Sequence, residues 1–311
     1  MFEVVAQMGV IILLGVVWRV LKPGGLDPEV LRKALTDTVY FLLLPALVLS
    51  ILWRTELSID SFHIIILAVT GVLAGFFIGK LACRLCNLPS ATAGAAILAA
   101  AFPNATYLGL PVLETTLGSW AAGVAIQYDL FACTPLLFTL GILTAYKHGS
   151  GDGRGFSIAS FLKIPAVLAS FVAVALNLGE IPQPQFVFGL LSTLDKGVVP
   201  LMLFALGLSL QWRKGEWRRI PIIIPIVLIQ LVVMPAIVLL VSFPVGLDGR
   251  LLTAVVIEAA MPSMVIGLVI CDRFKLDSAF YATAVTVSTA LSLVTLPLWF
   301  SFLENTSGSL L

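Results

Sequence analysis

The chain has 311 residues, of which 59% are hydrophobic and 11% are charged, and its mean hydropathy is +1.08. Soluble domains carry about 25% charged residues. So few charges cannot cover a surface in water, which excludes a soluble protein and predicts an all-α integral membrane protein. The 18 Lys and Arg nearly balance the 17 Asp and Glu, so the formal net charge of +1 predicts no nucleic-acid partner.

Ten apolar segments are long enough to cross a bilayer as helices, some of them with help from snorkelling flanks. In chain order these predicted spans cover residues 4–21, 36–53, 62–82, 90–112, 119–146, 159–178, 186–210, 220–243, 251–271 and 279–302. The first is interpreted as a span and not as a signal peptide, because its positive charges follow the apolar run. The lipid bilayer is thus one predicted partner.

The distribution of Lys and Arg predicts the orientation of these spans. All but three of the 18 residues lie in the odd-numbered connections, and the exceptions are Arg54, Lys196 and Arg250. Since cytoplasmic loops carry the excess of positive charge, the odd-numbered connections are predicted to be cytoplasmic. Both termini are then outside the cytoplasm, and the protein is a multi-pass protein of the cell (inner or plasma) membrane.

A glycine-rich stretch in the middle of the chain predicts a flexible cytoplasmic linker at 148–158. It separates two five-helix repeats, 1–147 and 159–311. Because five is odd, the second repeat starts on the opposite face of the membrane. Both repeats contain Ala-Ala-x-Pro in their fourth span, with Pro103 and Pro262 separated by 159 positions. This match predicts an inverted repeat.

Proline inside a span interrupts its hydrogen bonding, so spans four and nine are predicted to break near their middles. Paired interruptions in corresponding spans indicate a substrate site at the centre of the membrane, where half-helix N-termini present N–H groups to an anion. The residues predicted to bind substrate flank the two breaks: Pro103, Asn104, Ala105, Thr106, Tyr107, Gly109, Pro262, Ser263 and Met264.

The segment from Pro103 to Pro111, with Leu44-Pro45-Ala46 and Met261-Pro262-Ser263, resembles the auxin efflux carrier family, in its compact bacterial form. The resemblance implies a scaffold domain of spans 1, 2, 6 and 7 and a transport domain of spans 3–5 and 8–10. Within the transport domain, broken helices four and nine cross. The architecture leaves open a homodimer through the scaffold helices.

Four carboxylates lie inside predicted spans. Asp37 is interpreted as a helix-start residue and Asp195 as a residue at the outer mouth of span seven. For Asp129 and Glu258 a functional role is the default interpretation, because charge inside a span is costly.

Sodium/bile-acid symporters share the implied architecture, and in them a glutamate shortly before the ninth-span break coordinates sodium. Glu258 looks similar, although its counterpart in the first repeat is Ala99. The carbonyls of Ala259, Ala260 and Met261 at the same break are predicted to lack helical partners, which would leave them free to bind sodium. Ion or proton coupling is assigned to Glu258, with Asp129 as the second candidate, and sodium and proton both stay open.

These features predict a secondary active transporter that moves a small organic anion by alternating access, with the substrate held where the broken helices cross. The alternative is a cation- or proton-coupled symporter of the sodium/bile-acid type. A channel is disfavoured because no polar stripe runs along several spans. An intramembrane enzyme is disfavoured because no catalytic motif occurs. No cofactor and no metal site are expected, apart from sodium at Glu258 if sodium is the coupling ion.

Overall fold

The computed structural model describes residues 2–55, 59–149, 165–210, 216–247 and 249–307, and the regular elements within these ranges are helices. The predicted linker lies outside the described residues from position 150 onward, as does the beginning of the predicted sixth span. A single isolated β-bridge, between Pro103 and Ser263, is the strand-like feature of the described part of the chain.

Twelve helices make up the described structure, apart from short 3-10 turns at Pro23–Gly25 and Glu216–Arg219. In chain order they are α1 (Phe2–Leu21), α2 (Pro28–Leu52), α3 (Ile59–Leu85), α4 (Ser90–Ala101), α5 (105–117), α6 (Trp120–His148), α7 (Pro165–Leu178), α8 (Gln185–Ser209), α9 (Ile220–Val245), α10 (Gly249–Ala259), α11 (Gly267–Arg273) and α12 (Ser278–Ser307).

Six of these helices, α2, α3, α6, α8, α9 and α12, are long and apolar enough to cross a membrane. The apolar parts of α1, α4 and α7 are shorter, between 10 and 17 residues. The predicted fourth span corresponds to α4 and α5, and the predicted ninth span to the short helices α10 and α11. The chain is therefore a helical membrane protein with several apolar helices.

Proline shapes the long helices locally. Four wider, π-helical turns end two residues before a proline: Val39–Leu43 before Pro45, Ala105–Gly109 before Pro111, Asp129–Cys133 before Pro135 and Ile229–Val233 before Pro235. Because proline has no N–H and its ring collides with the preceding turn, a wider turn relieves the collision while the helix continues. The spans thus tolerate prolines that would otherwise end them.

The helices pack mainly in two groups. One consists of α1, α2, α7 and α8, and the other of α3 to α6 with α9 to α12. Within the first group, α1 and α8 approach closely at Gly15 and Gly207, where a Cβ at Gly207 would lie 2.0 Å from the carbonyl oxygen of Ile12. These two glycines allow the backbones to touch, which is the usual way apolar helices associate within lipid.

Polar contacts at the helix ends join connections that are predicted to share a membrane face. At one end, called the Asn177 end, Asn177 Nδ2 donates to the carbonyls of Leu52, Trp53 and Thr55. At the other, called the Asp277 end, Asp277 accepts from Thr92 Oγ1 at 2.9 Å and from Arg219 Nη1 at 2.8 Å.

Candidate functional site

Two interrupted helices cross in the middle of the second group. Helix α4 ends at Ala101 and α5 begins at 105, while α10 ends at Ala259 and α11 begins at Gly267. The chain between them is not helical, and Asn104 N donates to Pro262 O at 2.7 Å while Met264 N donates to Phe102 O at 3.0 Å. The two non-helical segments therefore satisfy each other's backbone as a short antiparallel pair.

Neutral side chains satisfy further backbone groups at the crossing. Ser263 Oγ donates to Ala99 O at 2.7 Å, and Tyr281 OH donates to Met264 O at 2.7 Å. Ser263 N donates in turn to Ser288 Oγ at 3.2 Å. Ser263, Tyr281 and Ser288 are completely buried. The two residues from α12 were not predicted, because nothing in their spacing indicates that α12 lies against the crossing.

Asn104, at the crossing, has a buried hydrogen-bond donor that is not used. It is 3% exposed, and its Nδ2 is buried without a hydrogen-bond partner. It directly precedes α5, whose first N–H groups have no acceptor within the helix. A buried amide without a partner is costly, so this arrangement is typical of a position that receives a ligand. An anion is the ligand that free N–H groups favour.

A cavity of about 60 Å³ lies beside these donors. A cavity of this volume has room for a few water molecules. Among the predicted residues, its wall includes Asn104, Ala105, Thr106, Tyr107, Met264 and Asp129. Pro103, Gly109, Pro262, Ser263 and Glu258 do not line it. The two prolines and Ser263 shape the crossing instead.

Asp129 forms part of the cavity wall and is held by two hydroxyl groups. Its carboxylate accepts hydrogen bonds from Thr106 Oγ1 and from Thr134 Oγ1, the latter at 3.0 Å. The first bond ties α6 to the beginning of α5. Thr134 was not predicted, although it is five residues after Asp129 and therefore close to it across a π-helical turn.

Glu258 lies behind the cavity, completely buried in the last turn of α10. Both of its carboxylate oxygens lack hydrogen-bond partners. They press on α5 at Gly109, where a Cβ atom would lie 2.2 Å and 2.6 Å from them. Gly109 was predicted as a substrate residue, and the structure places it against Glu258 instead. Glycine is therefore what allows the carboxylate to occupy this position.

The charges around the crossing are negative. The buried residues of the described chain include the two carboxylates Asp129 and Glu258, and none of them is Lys, Arg or His. The titratable groups that interact electrostatically with Glu258 are Asp129, Tyr128 and Cys133. An anion can therefore approach only if protons or another cation compensate this negative charge.

A sodium ion at Glu258 would need several oxygen ligands, and the carbonyls of Ala259, Ala260 and Met261 were predicted to be free for this purpose. The structure differs for two of them. Gln230, completely buried in the π-helical turn of α9, donates its Nε2 to Met261 O at 3.0 Å and to Ala259 O at 3.4 Å. A neutral donor thus occupies the position between these carbonyls, and the arrangement does not fit sodium.

Two larger cavities lie on either side of the crossing. At the Asn177 end, a cavity of about 1210 Å³ lies between the two helix groups and contains Arg54, Lys196 and Arg250 along with Glu114 and Gln127. Towards the Asp277 end, a cavity of about 200 Å³ shares Tyr40 and Tyr107 with the small central one. The crossing therefore separates spaces that open towards opposite ends of the helices.

With apolar helices, crossing interrupted segments and cavities on both sides, the structure has the features of a membrane transport protein. The model of the membrane transport protein family matches residues 1–161 and 153–300. The chain thus belongs to this family, the auxin efflux carrier family, as the sequence motifs predicted.

Its relatives are described as transporters. The chain is 31% identical over 301 residues to an uncharacterized transporter of Methanothermobacter thermautotrophicus, with 96% of each chain covered. It is 25% identical to the uncharacterized transporter MJ1031 of Methanocaldococcus jannaschii, over 95% of this chain and 97% of the relative. It is also 25% identical to the uncharacterized transporter YfdV of Escherichia coli, over 78% of this chain and 79% of the relative.

Proposed function

We propose that this membrane transporter is a secondary active carrier that moves a small organic anion by alternating access. One observation carries the proposal: the unpartnered Nδ2 of Asn104 and the first N–H groups of α5 converge beside the central cavity. These donors are fixed and uncharged, so they suit a carboxylate without trapping it as a buried Lys or Arg would.

The dimensions of the cavity limit the substrate class. A volume of about 60 Å³ suits a molecule of a few heavy atoms, such as a short-chain carboxylic acid. Besides the polar donors, Leu44, Leu137 and Phe138 contribute apolar surface to the cavity wall. We therefore propose a small monocarboxylate with an apolar remainder as the first class to test.

Charge compensation supports coupling to protons. A completely buried carboxylate without hydrogen-bond donors, such as Glu258, is stable only when something neutralises it. We propose that Glu258 carries a proton while the anion is bound and that Asp129, held by Thr106 and Thr134, helps to link the proton to the substrate. The anion and the proton then cross the membrane together or in exchange.

The packing of the helices supports the proposed movement. The group of α3 to α6 and α9 to α12 contains the whole crossing, whereas α2, α7 and α8 of the other group contribute residues to the cavity walls. We propose ten membrane passages in two inverted repeats, with the first group moving against the second. In this proposal the Asp277 end faces the cytoplasm, both termini lie outside, and a homodimer would form through α1, α2, α7 and α8.

The proposal is tested with purified protein in liposomes, using a panel of radiolabelled short carboxylic acids and an imposed pH gradient. Asn104→Ala removes the free donor without breaking a protein hydrogen bond of its Nδ2. Losing a hydrogen bond to a charged group costs about 1.5–3 kcal/mol, so the substrate Kd should rise about ten- to a hundredfold.

Asn177→Ala is the matched control, because its amide is occupied by three carbonyls at the Asn177 end. It should lower thermal stability and leave substrate affinity unchanged. Transport that does not respond to any carboxylate, or equal affinity of wild type and Asn104→Ala, would refute the proposed anion site.

A further inference from the structure

Gln230 is a long polar side chain that reaches the broken end of α10 from another helix, α9. Its Nε2 lies 3.0 Å from Met261 O, 3.4 Å from Ala259 O and 3.8 Å from the sulfur of Met234. A Gln NH₂ group has two donors, so its donor capacity is fully used. Its Oε1 is buried without a partner.

The carbonyls that Gln230 caps lie at the negative end of a helix dipole, next to the Glu258 carboxylate. Such a place attracts a hard cation, which would bind these same oxygens. An amide N–H carries only a partial positive charge, but it fills the space between the two carbonyls and needs no ion. The carbonyls of Ala259 and Met261 therefore have a hydrogen-bond donor without a metal.

We propose that Gln230 determines the ion selectivity of the carrier by occupying, with its amide group, the position that sodium would take at the broken end of α10. The inference rests on the proposed function in assigning the crossing to substrate binding. It adds that sodium neither binds there nor drives transport. Protons, and not sodium, then neutralise the Glu258 carboxylate.

The chemistry of the capping group makes the proposal testable by a substitution of nearly equal size. Gln230→Glu replaces the NH₂ group with an oxygen that repels the carbonyl oxygens of Ala259 and Met261. This oxygen cluster needs a cation, so the substitution should create a sodium site. Gln230→Ala removes the capping group and provides a variant without either donor or carboxylate.

Thermal unfolding of the purified protein in detergent at pH 8 is measured in NaCl and in KCl at equal ionic strength. We expect the same Tm in both salts for the wild type, and a Tm about 2 °C or more higher in NaCl for Gln230→Glu. Transport by the wild type should have equal rates in the two salts.

A wild type that sodium stabilises, with the effect lost in Gln230→Ala, would make Gln230 Oε1 a sodium ligand and overturn the proposal. A folded Gln230→Glu that responds equally to both salts would overturn it as well. If Gln230→Glu does not fold, the wild-type comparison decides alone. Because unfolding is measured without substrate, a failed transport assay would refute the proposed function and leave this result intact.

Discussion

The contact between Gly109 and Glu258 allows a quantitative test of the crossing. Gly109 has φ −63° and ψ −51°, an ordinary helical conformation that alanine adopts readily. By conformation alone, Gly109→Ala should stabilise the helix by about 0.5–1 kcal/mol. The new Cβ, however, would lie 2.2 Å from a carboxylate oxygen, about 0.8 Å closer than the 3.0 Å that real contacts reach.

Because Glu258 is completely buried, its carboxylate cannot withdraw into solvent and can shift only against its neighbours. Overpacking of this kind costs about 1–3 kcal/mol, so it should exceed the conformational gain. We expect Gly109→Ala to lower the Tm of purified protein by a few degrees and to reduce proton-dependent uptake in liposomes strongly. Gly9→Ala is the control, since its Cβ would meet Leu293 at an ordinary 3.6 Å.

A double-mutant cycle isolates the contact. In a Glu258→Ala background the carboxylate is absent, so adding Gly109→Ala should cost no stability and should even raise the Tm slightly. If Gly109→Ala is equally destabilising with and without the Glu258 carboxylate, the two residues do not touch, and α5 and α10 cross in a different way.

Two further predictions concern Asp129 and the membrane orientation. Thr134→Val removes the 3.0 Å hydrogen bond to Asp129 and should reduce the transport rate several-fold. Thr139→Val is the control, because the Thr139 hydroxyl bonds to carbonyls of its own helix, and it should leave the rate unchanged. Equal transport rates for the two variants would exclude a role for Asp129 in transport. Cys86 is the exposed member of four free cysteines, and it should not react with an impermeant maleimide applied to intact cells. Gln185→Cys in a Cys86→Ser background should react, because position 185 is exposed at the opposite end of the helices. The opposite labelling pattern would invert the proposed topology.

The sequence alone was sufficient for the class of protein. The bilayer acts as a solvent that favours apolar side chains one by one. Composition therefore predicts a membrane protein without knowledge of any contact between residues. Proline acts on its own turn, so Pro103 and Pro262 mark the interrupted helices. The family also followed from a local motif, and the matching family model confirmed it.

Contacts between distant residues depended on the tertiary structure. The predicted free carbonyls at Ala259 and Met261 have a partner, Gln230, that is about 30 positions away and carries no motif. Gly109 was predicted to bind substrate, but it accommodates Glu258 from the other half of the chain. A local sequence pattern predicts which backbone N–H and C=O groups a broken helix leaves without hydrogen-bond partners. Which side chain, proton or ion satisfies them is decided by the helices that pack against the break, and this information is spread over the whole chain.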